Sequence, residues 1–202
     1  MRVYLETERL MLRWLTEADV DNLFALDGDP AVMRFLSGGT LTPREVIARE
    51  ILPRFLGYYA RYDGYGVWAA IEKGSGDFLG WFSFHPHDDG DPGEVALGYR
   101  LRRAAWGKGY ATEGAHALIR KGFTELGAER VIATTYQDNL ASRRVMEKAG
   151  LTLARTFRLT PTHLAATGTF HATSQDIWEG EDVEYALSKA DWERQEREQK
   201  TS

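Results

Sequence analysis

Cysteine is absent from the 202-residue chain. That excludes disulfides, thiolate nucleophiles and thiolate metal sites, and it suits a reducing compartment. A basic excess is missing as well. The 25 lysines and arginines are outnumbered by 30 aspartates and glutamates, a formal net charge of −5, whereas nucleic-acid binders carry a positive balance. No nucleic-acid partner is expected. No apolar run approaches the ~20 residues that cross a bilayer, so no membrane partner is expected either. The opening Met1-Arg2-Val3-Tyr4-Leu5-Glu6 carries charge where a secretory signal needs an unbroken apolar stretch, which points to a cytoplasmic location. What is present is ordinary: 43% hydrophobic and 27% charged residues, enough for one domain with a substantial core. The acidic balance is compatible with a cationic substrate.

Alternation of Leu10 and Leu12 against Arg9, Met11 and Arg13 predicts a strand over 8–13. Thr16-Glu17-Ala18-Asp19 has the form of a capping box, and Asp29-Pro30 and Thr42-Pro43 both have the form of a helix start. Pro53 then predicts a kink or break in the helix that follows Thr42-Pro43. Residues 67–71 and 78–84 form a hairpin pattern around the turn 73–77, and 94–101 is a third strand. Helical spacing runs from Ala111 to Leu126 with Gly127 as its stop, 131–136 is a strand, and 139–149 is a helix ending at Gly150. Residues 151–159 and 183–187 are closing strands, and 160–180 is expected to be a long loop. The expected organisation is one domain over 1–190 with a charged helical tail over 191–202. Strands followed by strand–helix–strand–helix–strand imply an α+β (mixed α/β) fold, a mixed sheet flanked by helices.

Chemistry concentrates at Trp106-Gly107-Lys108-Gly109-Tyr110-Ala111-Thr112-Glu113, between a strand and a helix. Glycines allow backbone N–H groups to approach an anion, and the unpaired amides and positive dipole end of a helix start complete a phosphate site. A P-loop needs Ser or Thr after Gly-Lys, but Gly109 follows Lys108. A dinucleotide fingerprint needs a third glycine where Thr112 stands. Downstream lies Asn139-Leu140-Ala141-Ser142-Arg143-Arg144-Val145-Met146-Glu147-Lys148-Ala149-Gly150-Leu151. With Gly98-Tyr99 before the turn, the two motifs resemble the GNAT superfamily of acetyltransferases. The likeness is to the branch typified by the bacterial ribosomal-protein acetyltransferases RimJ and RimL, and it runs from Glu6-Thr7-Glu8-Arg9-Leu10 to Tyr185-Ala186-Leu187.

The resemblance implies a twisted, mostly antiparallel sheet of about seven strands, with a V-shaped splay between the two central strands, 94–101 and 131–136. It implies acetyl-CoA as co-substrate, its pyrophosphate on the backbone of Gly107, Lys108, Gly109, Tyr110, Ala111 and Thr112. Trp106 departs from the Gln or Arg of the family pattern, and backbone binding survives that change. Asn139 matches the residue that binds the pantetheine arm, and Ser142 matches a hydroxyl near the CoA sulfur. Both residue types are also ordinary helix caps. A backbone N–H at the strand end near Leu101 matches the group that polarises the acetyl carbonyl. Lys108, Arg144 and Lys148 are candidate phosphate partners, or plain solvated surface.

The acceptor amine must lose a proton before it can attack. The family's acidic position falls here on Ala96, and Glu94 shares its strand face two residues earlier, so Glu94 is the candidate base, directly or through water. His85 is a second candidate, and Tyr136 is an alternative candidate acid. His85-Pro86-His87-Asp88-Asp89 has some character of a metal site, but Pro86 and the neighbouring glycines favour an ordinary loop, and no metal is expected. Tyr58, Tyr59, Tyr62, Tyr65 and Trp68 are candidates for cleft wall or core. The acceptor is expected to be a small-molecule amine. A peptide N-terminus is the alternative, and a CoA-binding protein without catalysis is a third reading. Dimers are common for this type of protein, so a homodimer is among the expected assemblies.

Overall fold

The apolar alternations become an eight-stranded sheet in the computed structural model, which describes residues 1–86, 93–158 and 180–201. The strands are β1 (Val3–Glu6), β2 (Leu10–Trp14), β3 (Gly66–Glu72), β4 (Phe78–Pro86), β5 (Glu94–Leu101), β6 (Arg130–Tyr136), β7 (Thr152–Phe157) and β8 (Asp182–Ser188). They lie in the order β1-β2-β3-β4-β5-β6-β8-β7. Every neighbouring pair is antiparallel except β5 with β6, which run parallel. The strand beyond the expected seven is β1, too short to announce itself by alternation. Glu8 and Arg9 belong to the turn that follows it, where Thr7 Oγ1 accepts from the Leu10 N–H at 2.9 Å. The expected loop 160–180 and the His87, Asp88 and Asp89 group lie outside the described residues, Gly180 excepted.

Helices cover both sheet faces, which is why β3 and β4 are buried almost throughout. One side carries α1 (Val20–Asp27), α2 (Pro30–Ser37), α3 (Arg44–Val46) and α4 (Leu52–Arg61). Leu23, Leu26, Phe55, Val67, Ala69, Ile71 and Trp81 form the core there. The other side carries α5 (Tyr110–Glu125), α6 (Leu140–Lys148) and α7 (Lys189–Thr201). Its core joins Phe82, Phe84, Leu97, Leu118, Phe123 and Tyr185. The polar α7 docks through Trp192, whose ring centroid lies 5.4 Å from that of Phe123, and through Gln195 Nε2 donating to Gly150 O at 3.1 Å.

Local signals account for the helix ends. The Thr16–Asp19 capping box forms, and Asp29 Oδ1 accepts from Ala31 N–H at 2.9 Å with Pro30 in the first turn of α2. Asp29→Ala is expected to cost about 1 kcal/mol, read as a lower urea midpoint at unchanged slope. At Thr42-Pro43 the expectation fails in detail, because Pro43 is the cap and no side chain bonds the helix start. Pro53 has no N–H to return to the preceding turn, and the chain there widens into a π-turn over Ile47–Ile51 before α4 resumes.

Candidate active site

β5 and β6 pair at only three positions, Glu94 with Arg130, Val95 with Val131 and Ala96 with Ile132. Beyond these, residues 97–101 and 133–136 have no partners across the gap, and the sheet opens into the expected V. The gap ends beside the glycine turn. Gly107 and Gly109 have φ of 71° and 84°, in the left-handed region that side chains disfavour. Gly109 caps α5 without any side-chain hydrogen bond, whereas Asp29 caps α2 and Asn139 caps α6. The first amides of α5, at Tyr110, Ala111 and Thr112, therefore stand open with the positive helix end behind them. Trp106, 47% exposed, donates its indole N–H to Leu101 O at 2.8 Å and so ties the turn to the end of β5.

The turn is braced from the far end of the chain. Arg9 donates to Glu113 Oε2 at 2.7 Å and to Lys108 O at 2.9 Å, and its guanidinium lies over the Tyr110 ring at 4.6 Å. Glu113 Oε1 also accepts from Thr7 Oγ1 at 2.5 Å and from Arg9 N–H at 2.9 Å. Burial raises the Glu113 pKa, but the hydrogen bonds from Thr7 and Arg9 outweigh it and hold the carboxyl below its usual range. Tyr110 donates to Glu72. Neither Arg9 nor Glu113 was expected at the site, although each stands inside one of the motifs that carry the family resemblance.

On the α5 side of the V, Asn139 Oδ1 accepts from Ser142 N–H at 3.3 Å and its Nδ2 donates to Thr135 Oγ1 at 3.1 Å. It caps α6 and fastens that helix to β6. The Tyr99 hydroxyl lies 3.1 Å from both the carbonyl oxygen and Oγ of Ser142, joining β5 to the first turn of α6. Burial raises the Tyr99 pKa well above its usual value. Lys108 and Arg144 are exposed. Lys148 lies at the opposite end of α6 from Asn139, in a groove with Gly150, Thr152 and Gln195.

The α4 side of the V is lined by charge. Glu94 pairs with Arg130 at 2.5 Å, at the closed end of the splay. Arg130 lies 3.5 Å from the buried Glu184, which Arg155 holds at 2.6 Å. His85 stands beside Ala96 in register, its ring stacked 4.3 Å from that of Tyr58. Tyr136 stacks on Phe35 of α2 at 6.2 Å. Of the aromatic group, Tyr58 and Tyr62 belong to this side. Tyr59 bonds Leu15 N and Val67 O, Tyr65 bonds Leu126 O, and Trp68 stacks on Tyr4, so these three are structural. Among the described residues, no group of three or more metal-ligating side chains occurs, and no helix is long and apolar enough to cross a membrane.

Comparison with known proteins shows the family and the fold. Residues 9–152 match the acetyltransferase (GNAT) domain model. The chain is 30% identical over 200 residues to the FsC-acetyl coenzyme A-N(2)-transacetylase of Aspergillus fumigatus, covering 96% of this chain and 79% of that one. It is 34% identical over 158 residues to the uncharacterized protein YkkB of Bacillus subtilis, covering 76% and 88%. Among solved structures, the RimL ribosomal L7/L12 alpha-N-protein acetyltransferase in complex with coenzyme A superposes with a TM-score of 0.72 over 93% of this chain and 98% of that one. At 19% identity, that is a likeness of fold. The chain belongs to the GNAT acetyltransferase family and is an acetyl-CoA-dependent N-acetyltransferase.

Proposed function

We propose that the enzyme acetylates the primary amine of a small molecule, by direct attack within a ternary complex with acetyl-CoA. The observation that carries this reading is the parting of β5 from β6 beyond Ala96 and Ile132, beside the uncapped start of α5. A gap between strands suits a narrow pantetheine arm, and the open amides of residues 107–112 suit a pyrophosphate. Gly107 and Gly109 let the anion approach, Tyr110, Ala111 and Thr112 donate backbone N–H, and Lys108 adds charge. Arg144 supplies further charge for the nucleotide end, whereas Lys148, expected beside it, stands at the far end of α6 and is left out of the site. Asn139 holds the arm, and the strand end at Leu101 polarises the acetyl carbonyl through a backbone N–H.

Proton movements follow from the residues on either side of the gap. Ser142, coupled to Tyr99, delivers a proton to the departing thiolate. Glu94 receives the proton of the amine through a chain of waters, with Arg130 fixing its position, because β5 from Glu94 to Leu101 spans roughly 23 Å, too far for one water. If Glu94→Gln leaves both the rate and its pH profile unchanged, the base is another group, with His85 next in line. Phe35 on Tyr136 and Tyr58 on His85 bring α2 and α4 down beside the gap, which favours a small acceptor over a peptide. The Aspergillus fumigatus relative is named for acetyl coenzyme A and a nitrogen, N(2), which supports a nitrogen acceptor. The absence of cysteine fits action in the cytoplasm.

Release of free CoA across a panel of small amines and N-terminal peptides tests the assignment. Small amines should be turned over and peptides should not. Turnover of peptides alone would replace it with protein N-terminal acetylation. Acetyl-CoA binding with no turnover of either would favour a protein that binds CoA without catalysis.

A further inference from the structure

Two carboxylates sit on one face of β8 and are treated differently. Glu184, 4% exposed, is held by Arg155 and approached by Arg130. Asp182 lies two residues earlier on the same face and is 9% exposed, and its carboxylate has no hydrogen bond or ion pair among the described residues. Burial alone pushes its pKa up to about 6. An enclosed carboxylate without a partner is unfavourable unless something else supplies the opposite charge.

Its neighbours indicate what that is. Asp182 pairs in register with Tyr136 of β6 on one side and Phe157 of β7 on the other, so two aromatic residues flank it on its own face. Aromatic faces attract alkylammonium and guanidinium groups. The Phe157 ring already has the Arg155 guanidinium 5.1 Å above it, while that arginine stays bonded to Glu184. The charged groups on the neighbouring strands include Glu184 on its own strand and Glu181 just before it, Arg155 and Arg158 at β7, and Arg130 further along β6. None of them pairs with it.

We propose that Asp182, flanked by Tyr136 and Phe157, is a subsite for a second, non-reacting cationic group of the acceptor, so that the preferred substrate is a diamine or an amine bearing a guanidinium. This rests on the reading of the gap between β5 and β6 as the place of acetyl transfer. The reacting nitrogen must be unprotonated when it attacks, so a carboxylate displaced from the gap serves the charge that the substrate keeps. Asp182 is one strand beyond β6, roughly 8 Å from the middle of the opened gap. That separation calls for several methylenes between the two nitrogens.

Steady-state kinetics with a monoamine and a diamine of equal chain length test this, on the wild type and on Asp182→Asn. The wild type should prefer the diamine through KM. Asp182→Asn should raise the diamine KM about tenfold, leave kcat within about twofold and leave the monoamine unchanged. The substitution should also raise Tm at pH 8, because it removes an unpaired buried charge; a carboxylate serving only the fold would give a lower Tm. No preference for the diamine, or an equal loss of kcat with both amines, would overturn the proposal. If the wild type turns over no amine, the acetyl-transfer reading of the gap fails by itself. Calorimetric binding of the diamine to the CoA complex then decides this subsite. Loss of that binding in Asp182→Asn supports it, and equal or absent wild-type binding overturns it.

Discussion

Gly114→Ala is expected to destabilise the protein by about 3 kcal/mol, although alanine is the better helix former by about 1 kcal/mol. A Cβ at Gly114 would lie 2.3 Å from Cζ of Phe82 and within 2.8 Å of two further ring atoms. Phe82 is fully buried and also packs against Tyr99, so its ring has nowhere to move. Two turns along α5, Gly122 meets Phe84 in the same way, with a Cβ position 2.6 Å from Cζ. The helix rests on the sheet through these two bare positions. Gly57 in α4 is the control, because a Cβ there meets nothing within 4 Å. Gly57→Ala should stabilise by up to about 1 kcal/mol. Urea unfolding of both variants gives opposite signs if this account is right. Gly114→Ala should also weaken acetyl-CoA binding, because the displaced helix carries the open amides of residues 110–112.

Arg9→Met is expected to weaken acetyl-CoA binding roughly tenfold, the equivalent of one well-placed charge-assisted hydrogen bond, with little change in Tm. The Arg9 side chain is 42% exposed, and exposed ion pairs contribute little to stability. Its effect instead lies in holding the Lys108 carbonyl and Glu113, which braces the glycine turn and the start of α5. Acetyl-pantetheine, which lacks the pyrophosphate, separates this from general damage. Turnover of that truncated donor should be unaffected by Arg9→Met, whereas a merely structural role would lower both donors alike. The pH dependence has a definite sign. The folded-state pKa of Glu113 is depressed, so its contribution is complete above the ordinary carboxylate range. It is lost only as pH falls through the lower folded value.

How much of this was legible depended on how far apart the interacting residues lie. The turn at residues 106–113 and the run at residues 139–151 are continuous in sequence, so their glycines, capping asparagine and helix starts could be read directly. Strands β3 and β4 announced themselves as apolar runs because both faces are covered. The strand β1 did not, since four residues beside charged neighbours carry no period. Nor did the docking of α7, which hangs on Trp192 and Gln195 in an otherwise polar helix. Side-chain partners were the least legible. Arg9 meets Glu113 across 104 residues, Arg100 meets Asp27 across 73, and Glu94 finds Arg130 across 36. No local pattern encodes such pairs, because they follow from strand order and register. The isolation of Asp182 is hidden for the same reason, since only the placement of β8 between β6 and β7 encloses it between Tyr136 and Phe157.

In the proposed ternary complex, residues 107–112 hold the pyrophosphate of acetyl-CoA while its arm enters the gap between β5 and β6. One calorimetric comparison tests it most directly, with acetyl-CoA and acetyl-pantetheine titrated separately into the wild-type protein. One saturable acetyl-CoA site per chain is expected, at least about tenfold tighter than for acetyl-pantetheine. No acetyl-CoA binding, or equal affinity for the two donors, would contradict it.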